Sequence, residues 1–324
     1  MKICIVTPAR AGSRLGNAVT AERYAAFFRS AGWRCDVLRT YAGEKCDVLI
    51  ALHARKSARS VLAFRKRFPL RTLVVVLTGT DLYRDLPRSA AARRSLRAAS
   101  RIIVLQPRGM QALAPRARRK AQSIMQSSPA RASKGRHREP GALRVCVLGH
   151  LRPEKDPLRA ALAVRSLPLD LDVKVTQAGA ALDRRSERAA RNEMARNARY
   201  RWIGEISHAA AMRLLASSDA MVISSCMEGG ANVVCEAIAR GVPVLASAID
   251  GNTGILGARY PGLFSAGDTR ALARLLEKAA NEPAFLRRLR SLCRSLRPLV
   301  DPRRERRAWI GLLRSLALGE QRSP

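Results

Sequence analysis

The chain has 324 residues, with 60 Lys and Arg against 25 Asp and Glu, giving a formal net charge of +35. Apolar residues make up 47% and aromatic residues 4%, which suits an α/β protein of two domains of about 150 residues each and excludes a disordered chain or a small disulfide scaffold. No apolar run reaches the roughly 18 residues a membrane helix needs, and the first residues enter Ile3-Cys4-Ile5-Val6 without a signal-peptide layout, so the expected location is cytoplasmic.

The first half alternates strands and helices. Strands are predicted at 2–8, 35–40, 47–53, 72–78, 101–106 and 121–126. Helices are predicted around 20–30, 58–67, 90–99 and 108–112. A continuous apolar run such as Leu73-Val74-Val75-Val76-Leu77 implies a parallel sheet covered on both faces. The βαβα order points to a doubly wound domain. Residues 127–142 then read Ser-Ser-Pro, Lys-Gly-Arg-His-Arg and Glu-Pro-Gly, a polar, turn-rich linker.

A second alternating block opens at 143–148. Asp156-Pro157 is predicted to start a helix, with Asp as N-cap and Pro at the first helical position. Strands follow at 172–177, 200–203, 220–224 and 242–247, with helices at 183–196, 208–216 and 232–240. Gly241 reads as a helix C-terminal glycine, and Pro243 bars continuation. The tail is helical over 270–280, 283–296 and 303–316. In the last of these, Trp309, Leu312, Leu313 and Leu316 form an apolar stripe. The expected domains are thus 1–127, a linker at 128–142 and 143–300, followed by a C-terminal helix at 301–324.

Seven Cys residues are scattered without a CxxC pair, as expected of reduced, mostly buried thiols. The positive charge is nearly all Arg. It is spread along the chain and interleaved with Ala, as in Ala91-Ala92-Arg93-Arg94. It reads mainly as solvated helix faces, with a share in drawing anionic substrates into the site. Six Phe, three Trp and five Tyr give little stacking surface, so no nucleic-acid partner is expected. No amphipathic helix with clustered aromatics argues for stable membrane association.

Ligands of open α/β sheets bind beyond the carboxyl ends of the strands. In the second half those ends carry Gly149-His150-Leu151-Arg152-Pro153-Glu154-Lys155, Trp202-Ile203-Gly204 and Glu228-Gly229-Gly230-Ala231-Asn232. Glu228 and Glu236 stand eight positions apart across a glycine loop that leads into a helix. A carboxylate suits a ribose diol, which offers two donors to two acceptor oxygens. Gly229 and Gly230 let backbone approach a ligand, and the helix start at Asn232 favours an anionic diphosphate. Arg152 and Lys155 are placed to neutralise a departing nucleotide. With no Asp-x-Asp at a strand end, no metal is expected.

These blocks, followed by Gly241-Val242-Pro243-Val244, together resemble the GT-B glycosyltransferases of family 4. The resemblance implies an α/β fold of two Rossmann-like doubly wound domains facing a central cleft, with the helix at 301–324 crossing back to the first domain. It implies that Glu236 binds the ribose of a UDP-sugar and that Arg152 and Lys155 bind its diphosphate. Glu228 and the backbone of Gly229, Gly230, Ala231 and Asn232 would face the donor sugar, with Trp202 and Ile203 near the base. The third residue after Glu228 is Ala231 rather than the usual glycine-aromatic step.

Three strand-end loops of the first half carry 7–20, 51–58 and 77–86. They hold Ser13, Arg14, Arg55, Lys56, Ser57, Thr78, Thr80 and Arg84. Such a set of cations and hydroxyls fits a small, multiply charged phosphate analogue. These loops resemble the selenosugar synthases of the selenoneine pathway. That resemblance implies transfer of a sugar from a UDP-sugar, such as UDP-N-acetylglucosamine, to selenophosphate, giving a 1-selenosugar, UDP and phosphate. The implied acceptor set is Ser13, Arg14, Arg55, Lys56, Thr78, Thr80 and Arg84, with Gly16 and Asn17 joining the donor set. No cofactor is expected. The partners are the small-molecule substrates, with functional coupling to a selenophosphate-producing enzyme and a selenoneine synthase.

Selenium in selenophosphate is already anionic, so a general base matters less than for a sugar hydroxyl. His137 falls in the linker and His208 at a helix start. His53 and His150 end strands, and His53 joins Arg152, Lys155 and Glu228 in the expected catalytic set, with Asp81 a further candidate. The alternative is an ordinary family 4 glycosyltransferase acting on a glycan or lipid.

Overall fold

The computed structural model describes residues 1–9, 12, 16–129 and 141–320, the side chains of 318–320 excepted. The chain divides into two units. The first comprises Met1–Gln126, Glu228–Gly230 and Pro302–Pro324; the second comprises Ser127–Met227 and Ala231–Asp301. Most of the expected linker, 130–140, lies outside the described residues, as do Ser13, Arg14 and His137.

The first unit holds β1 (Lys2–Val6), β2 (Arg34–Leu38), β3 (Val48–Leu52), β4 (Thr72–Leu77), β5 (Arg101–Val104) and β6 (Ala121–Ser123). They form one sheet in the order β2-β1-β3-β4-β5-β6, parallel throughout. Alternate residues of the same strands enter two buried clusters, which is why the strands read as unbroken apolar runs. Leu49, Leu73, Val75 and Leu77 face Val61, Phe64, Ala92 and Leu96. Ile3, Ile5, Ile50, Val74 and Val76 face Tyr24, Phe28 and Trp309.

Trp309 belongs to the helix Pro302–Glu320 and is fully buried. Its ring centroid lies 4.6 Å from Tyr24 and 5.9 Å from Phe28. The Arg23 Nε–Glu305 Oε2 pair at 3.0 Å pins the same helix to Gly16–Arg29.

The second unit holds β7 (Leu143–Leu148), β8 (Val173–Ala178), β9 (Tyr200–Trp202), β10 (Ala220–Ile223), β11 (Val244–Ser247) and β12 (Leu263–Phe264). Their order is β12-β11-β10-β7-β8-β9, again all parallel. In the first sheet the winding reverses between β1 and β3; in the second it reverses between β7 and β10. Such switch points open a crevice beyond the strand ends.

Three local expectations are corrected. Asp156-Pro157 does not start a helix. Pro153–Lys155 forms a tight 3₁₀ turn, Asp156 closes it in a left-handed conformation at φ 44°, and the helix runs Arg159–Arg165. The Asp156 carboxylate takes the Arg159 guanidinium at 2.7 Å instead of capping backbone N–H groups. Residues 108–112 are not α-helical; Pro107–Met110 is 3₁₀. Residues 16–19 are helical rather than loop, because the first helix starts at Gly16. Asp250–Leu256 is a further helix, not among those read from the sequence.

The arginines are not all solvated. Arg199 collects the carbonyls of Val164, Leu167 and Leu169, and Arg65 binds Ala98 O and Ser100 Oγ. Six Cys residues are buried and Cys226 is exposed; all seven are free thiols. Burial pushes the Cys146 thiol up to about 12, so it stays protonated. Among the described residues, no helix is long and apolar enough to cross a membrane.

Candidate active site

At the reversal of the first sheet, β3 is followed by His53, which sits at φ 74°, a conformation uncommon for any residue but glycine. The chain is held there by His53 N–H donating to Val76 O at 2.9 Å and by Ser57 N–H donating to His53 O at 3.0 Å. Ser57 itself is internal, its hydroxyl bound to Leu52 O. Beyond β4, Thr78-Gly79-Thr80 lead into a five-residue π-helical turn, Asp81–Asp85. Such turns are rare and recur at functional sites.

Asp81 organises this edge. It is completely buried. Its Oδ1 accepts from the N–H groups of Thr78 (2.8 Å) and Gly79 (3.0 Å), and its Oδ2 accepts from Ala54 N–H (2.8 Å). Asp81 is therefore the knot between the loops after β3 and β4. Asp85 holds Arg55 Nε at 2.7 Å, with Arg84 Nε at 3.6 Å.

His53 Nε2 lies 3.1 Å from Thr80 Oγ1, and Lys56 N–H donates to Nδ1 at 3.3 Å. Burial holds the imidazole below its ordinary pKa, against the pull of Asp81. The ring is neutral at neutral pH. The structure thus brings His53, Arg55, Lys56, Thr78, Thr80 and Arg84 to one sheet edge. Arg55 and Lys56 are exposed, while Thr78 and Thr80 are half-buried.

Glu228–Gly230 groups with this first unit. A Cβ on Gly229 would stand 2.6 Å from Gly79 N, and one on Gly230 would stand 2.6 Å from Leu105 Cβ. Both glycines are required by packing against the loops after β4 and β5, a reason the sequence reading did not supply. Gly16 and Asn17 lie in the first turn of the helix Gly16–Arg29.

At the reversal of the second sheet, the ends of β7, β8 and β10 line a crevice that includes Gly149, His150, Lys155, Gln177, Ser224 and Ser225. Its walls are tied together: Ser224 Oγ donates to Asp156 O at 2.8 Å and Cys226 N–H to Glu154 O at 2.9 Å. Gly179 allows its chain to pass Gly149, since a Cβ there would fall 2.0 Å from Gly149 O. Trp202 Nε1–H fixes the same segment through Gly179 O at 2.8 Å.

Two donors here stand out. Gln177 is 1% exposed, and its Oε1 accepts from Tyr200 OH at 2.7 Å. Its Nε2 is buried with no partner among the described residues, as is Nε of Arg152. Sequence reasoning missed Gln177, which reads as one more strand residue.

Glu236 lies in the helix Asn232–Arg240, whose N-cap Ala231 offers no side-chain cap. Its carboxylate is 13% exposed, with His208 Nδ1 3.8 Å from Oε1. His208, set aside in the sequence as a helix-start residue, is thus beside this carboxylate. Burial and then Arg240 hold its pKa below the ordinary value. Ala231 is buried, and Ile203 is 36% exposed after β9. Among the described residues, no three His, Cys, Asp or Glu side chains form a metal-ligand group.

Two doubly wound parallel sheets, each opening a site at its reversal, define the GT-B glycosyltransferase fold. Sucrose-phosphate synthase from Thermosynechococcus elongatus superposes with a TM-score of 0.78 at 16% identity, over 98% of this chain and 99% of that one. HepE of Anabaena, in complex with UDP and glucose, gives 0.78 at 16% identity over 97% and 100%. Trehalose 6-phosphate synthase from Burkholderia multivorans gives 0.71 at 15% identity over 93% and 77%. At such identities the likeness speaks for the fold. No curated protein matches the chain significantly. Residues 131–294, just over half the chain, match the family described as glycosyl transferases group 1. The chain belongs to that family.

Proposed function

We propose that this glycosyltransferase forms a carbon–selenium bond, passing a sugar from a UDP-sugar such as UDP-N-acetylglucosamine to selenophosphate. The observation that carries the reading is the edge of the first sheet. Arg55, Lys56 and Arg84 gather there with the hydroxyls of Thr78 and Thr80, while the local proton acceptors are already engaged: Asp81 by backbone N–H groups, Asp85 by Arg55 and His53 by Lys56 N–H. Such an edge suits a nucleophile that arrives as an anion and needs no base.

In the proposed reaction the bond from the anomeric carbon to the UDP oxygen breaks, a bond to selenium forms, and water then cleaves selenium from phosphorus. Glu236 holds the ribose. Arg152, Lys155 and the Asn232 helix start take up the charge of the departing diphosphate, without a metal. Glu228 and the backbone of Gly229 to Asn232 meet the donor sugar, Trp202 and Ile203 lie near the base, and Gly16 and Asn17 complete the donor set. Resemblance to HepE, solved with UDP and glucose, supports the choice of donor class. The reading places the enzyme in the cytoplasm, between a reaction that makes selenophosphate and one that consumes a selenosugar.

The test is product mass spectrometry after incubating selenophosphate with a panel of UDP-sugars, alongside UDP release with glycan and lipid acceptors. The expected outcome is a selenium-containing sugar and UDP release stimulated by selenophosphate. Stimulation by a glycan or lipid, with none by selenophosphate, would overturn the reading. Glu236→Gln should weaken UDP binding about tenfold or more in calorimetry, the loss of a charged acceptor.

A further inference from the structure

We propose that Thr80 presents an oriented hydroxyl donor to an acceptor oxyanion, and that His53 is its positioning residue, fixed as the Nε2–H tautomer rather than serving as a base. What the hydroxyl meets rests on the function proposed above; the tautomer does not.

Counting protons leads there. A neutral imidazole has one N–H and one lone-pair nitrogen. Lys56 N–H points at Nδ1 from 3.3 Å, so Nδ1 carries the lone pair. The proton is then on Nε2, which donates to Thr80 Oγ1 at 3.1 Å. With its oxygen already accepting, the Thr80 hydroxyl still has its own proton to donate. No hydrogen bond among the described residues takes that proton. Thr80 is half-buried just beyond β4, the strand next to the reversal.

The ring has no freedom to swap roles. It is 2% exposed, and its backbone is locked in the left-handed region by bonds to Val76 O and Ser57 N–H. The charged groups around it are Asp81, 4.0 Å from Nδ1, Asp85, 3.9 Å from Nε2, and Arg55 and Lys56. Both carboxylates are engaged elsewhere. A second ring proton would sit on Nδ1 against the Lys56 N–H, so protonation breaks a bond already made. The lone pair a base would need is taken by the Lys56 backbone N–H. Strain at His53 and a π-helical turn at Asp81–Asp85 hold this single donor in place, as strained backbone at functional sites does. A charge-assisted bond from Thr80 to an anion is what remains for the pair to do.

The experiment uses the full-length chain with ¹⁵N-labelled histidine. Long-range ¹H–¹⁵N correlations report each ring, with His53 assigned by its loss in His53→Gln. The expected result is an Nε2–H tautomer that does not change from about pH 6 to 8. An Nδ1–H tautomer or an imidazolium at pH 7 overturns the proposal. Thr80→Val should weaken inorganic phosphate and selenophosphate binding in calorimetry by about 10-fold or more, leaving UDP binding as it was, and Thr80→Ser should recover most of the loss. Equal affinity in Thr80→Val overturns the proposal. So does a slope-one acid limb in kcat/KM that His53→Gln removes. If selenophosphate releases no UDP, the proposed function falls, while the tautomer and the phosphate titration still decide this one.

Discussion

At the edge of the first sheet, Asp81 gathers three backbone N–H groups and His53 is held at both ring nitrogens. At the edge of the second, Gln177 Nε2 and Arg152 Nε are buried with nothing described to receive them. At the first edge the buried Asp81 carboxylate and the His53 ring are partnered within the fold; at the second, two buried donors are not. Each unmet buried donor costs about 1–3 kcal/mol, which an acceptor-rich ligand such as a diphosphate returns on binding. One winding rule thus yields a rigid site and an expectant one.

The sharpest way to break this contrast is to loosen the first sheet from behind. Trp309→Ala removes the ring packed on Tyr24 and Phe28 and should cost about 3–5 kcal/mol in urea unfolding. Asp81→Ala attacks the same edge from the front. Orphaning three N–H groups should cost roughly 3 kcal/mol and should raise hydrogen exchange at Ala54, Thr78 and Gly79 together; exchange confined to one of them would show that Asp81 is not the knot.

In the second unit the corresponding break is Gly179→Ala. Its new Cβ meets Gly149 O at 2.0 Å, and the displaced loop should cost about 1–3 kcal/mol, with UDP binding impaired along with stability. The smallest effect concerns pH. His53 and His208 both have pKa values lowered by burial, so the unfolded chain takes up protons first as pH falls below about 6.5. Stability contributed by the neutral rings is full above that pH and declines below it, down to the folded-state values. His53→Gln should flatten part of the slope and His208→Gln the rest. Unchanged slopes in both would mean that neither ring is buried neutral.

The parallel strands were legible because their apolar runs have no polar face, and Asn232–Arg240 with Gly241 at φ 68° was legible because each end carries its own signal. Leu263–Phe264, with two residues at the sheet edge, has no periodicity to read. Asp250–Leu256 was hidden by Gly251 and Gly254, which weaken helix propensity. Asp156 misled because Pro153 closes a tight turn first, leaving Asp156 to end a turn rather than begin a helix. The π-helical turn could not be foreseen, since Asp81 at its start is also tied to Ala54 N–H, 27 positions away. Arg55 and Asp85, 30 positions apart, and His208 and Glu236, 28 apart, are joined only by the fold.

The helix Pro302–Glu320 has a consequence for how the protein is made. The strands of the first sheet, all within Lys2–Ser123, are translated well before the Trp309 ring that packs on Tyr24 and Phe28. A nascent chain that has reached residue 127 therefore carries an uncovered apolar seam beside Tyr24 and Phe28. Expressed alone, that half should stay sticky until a synthetic peptide spanning 302–320 is added in trans.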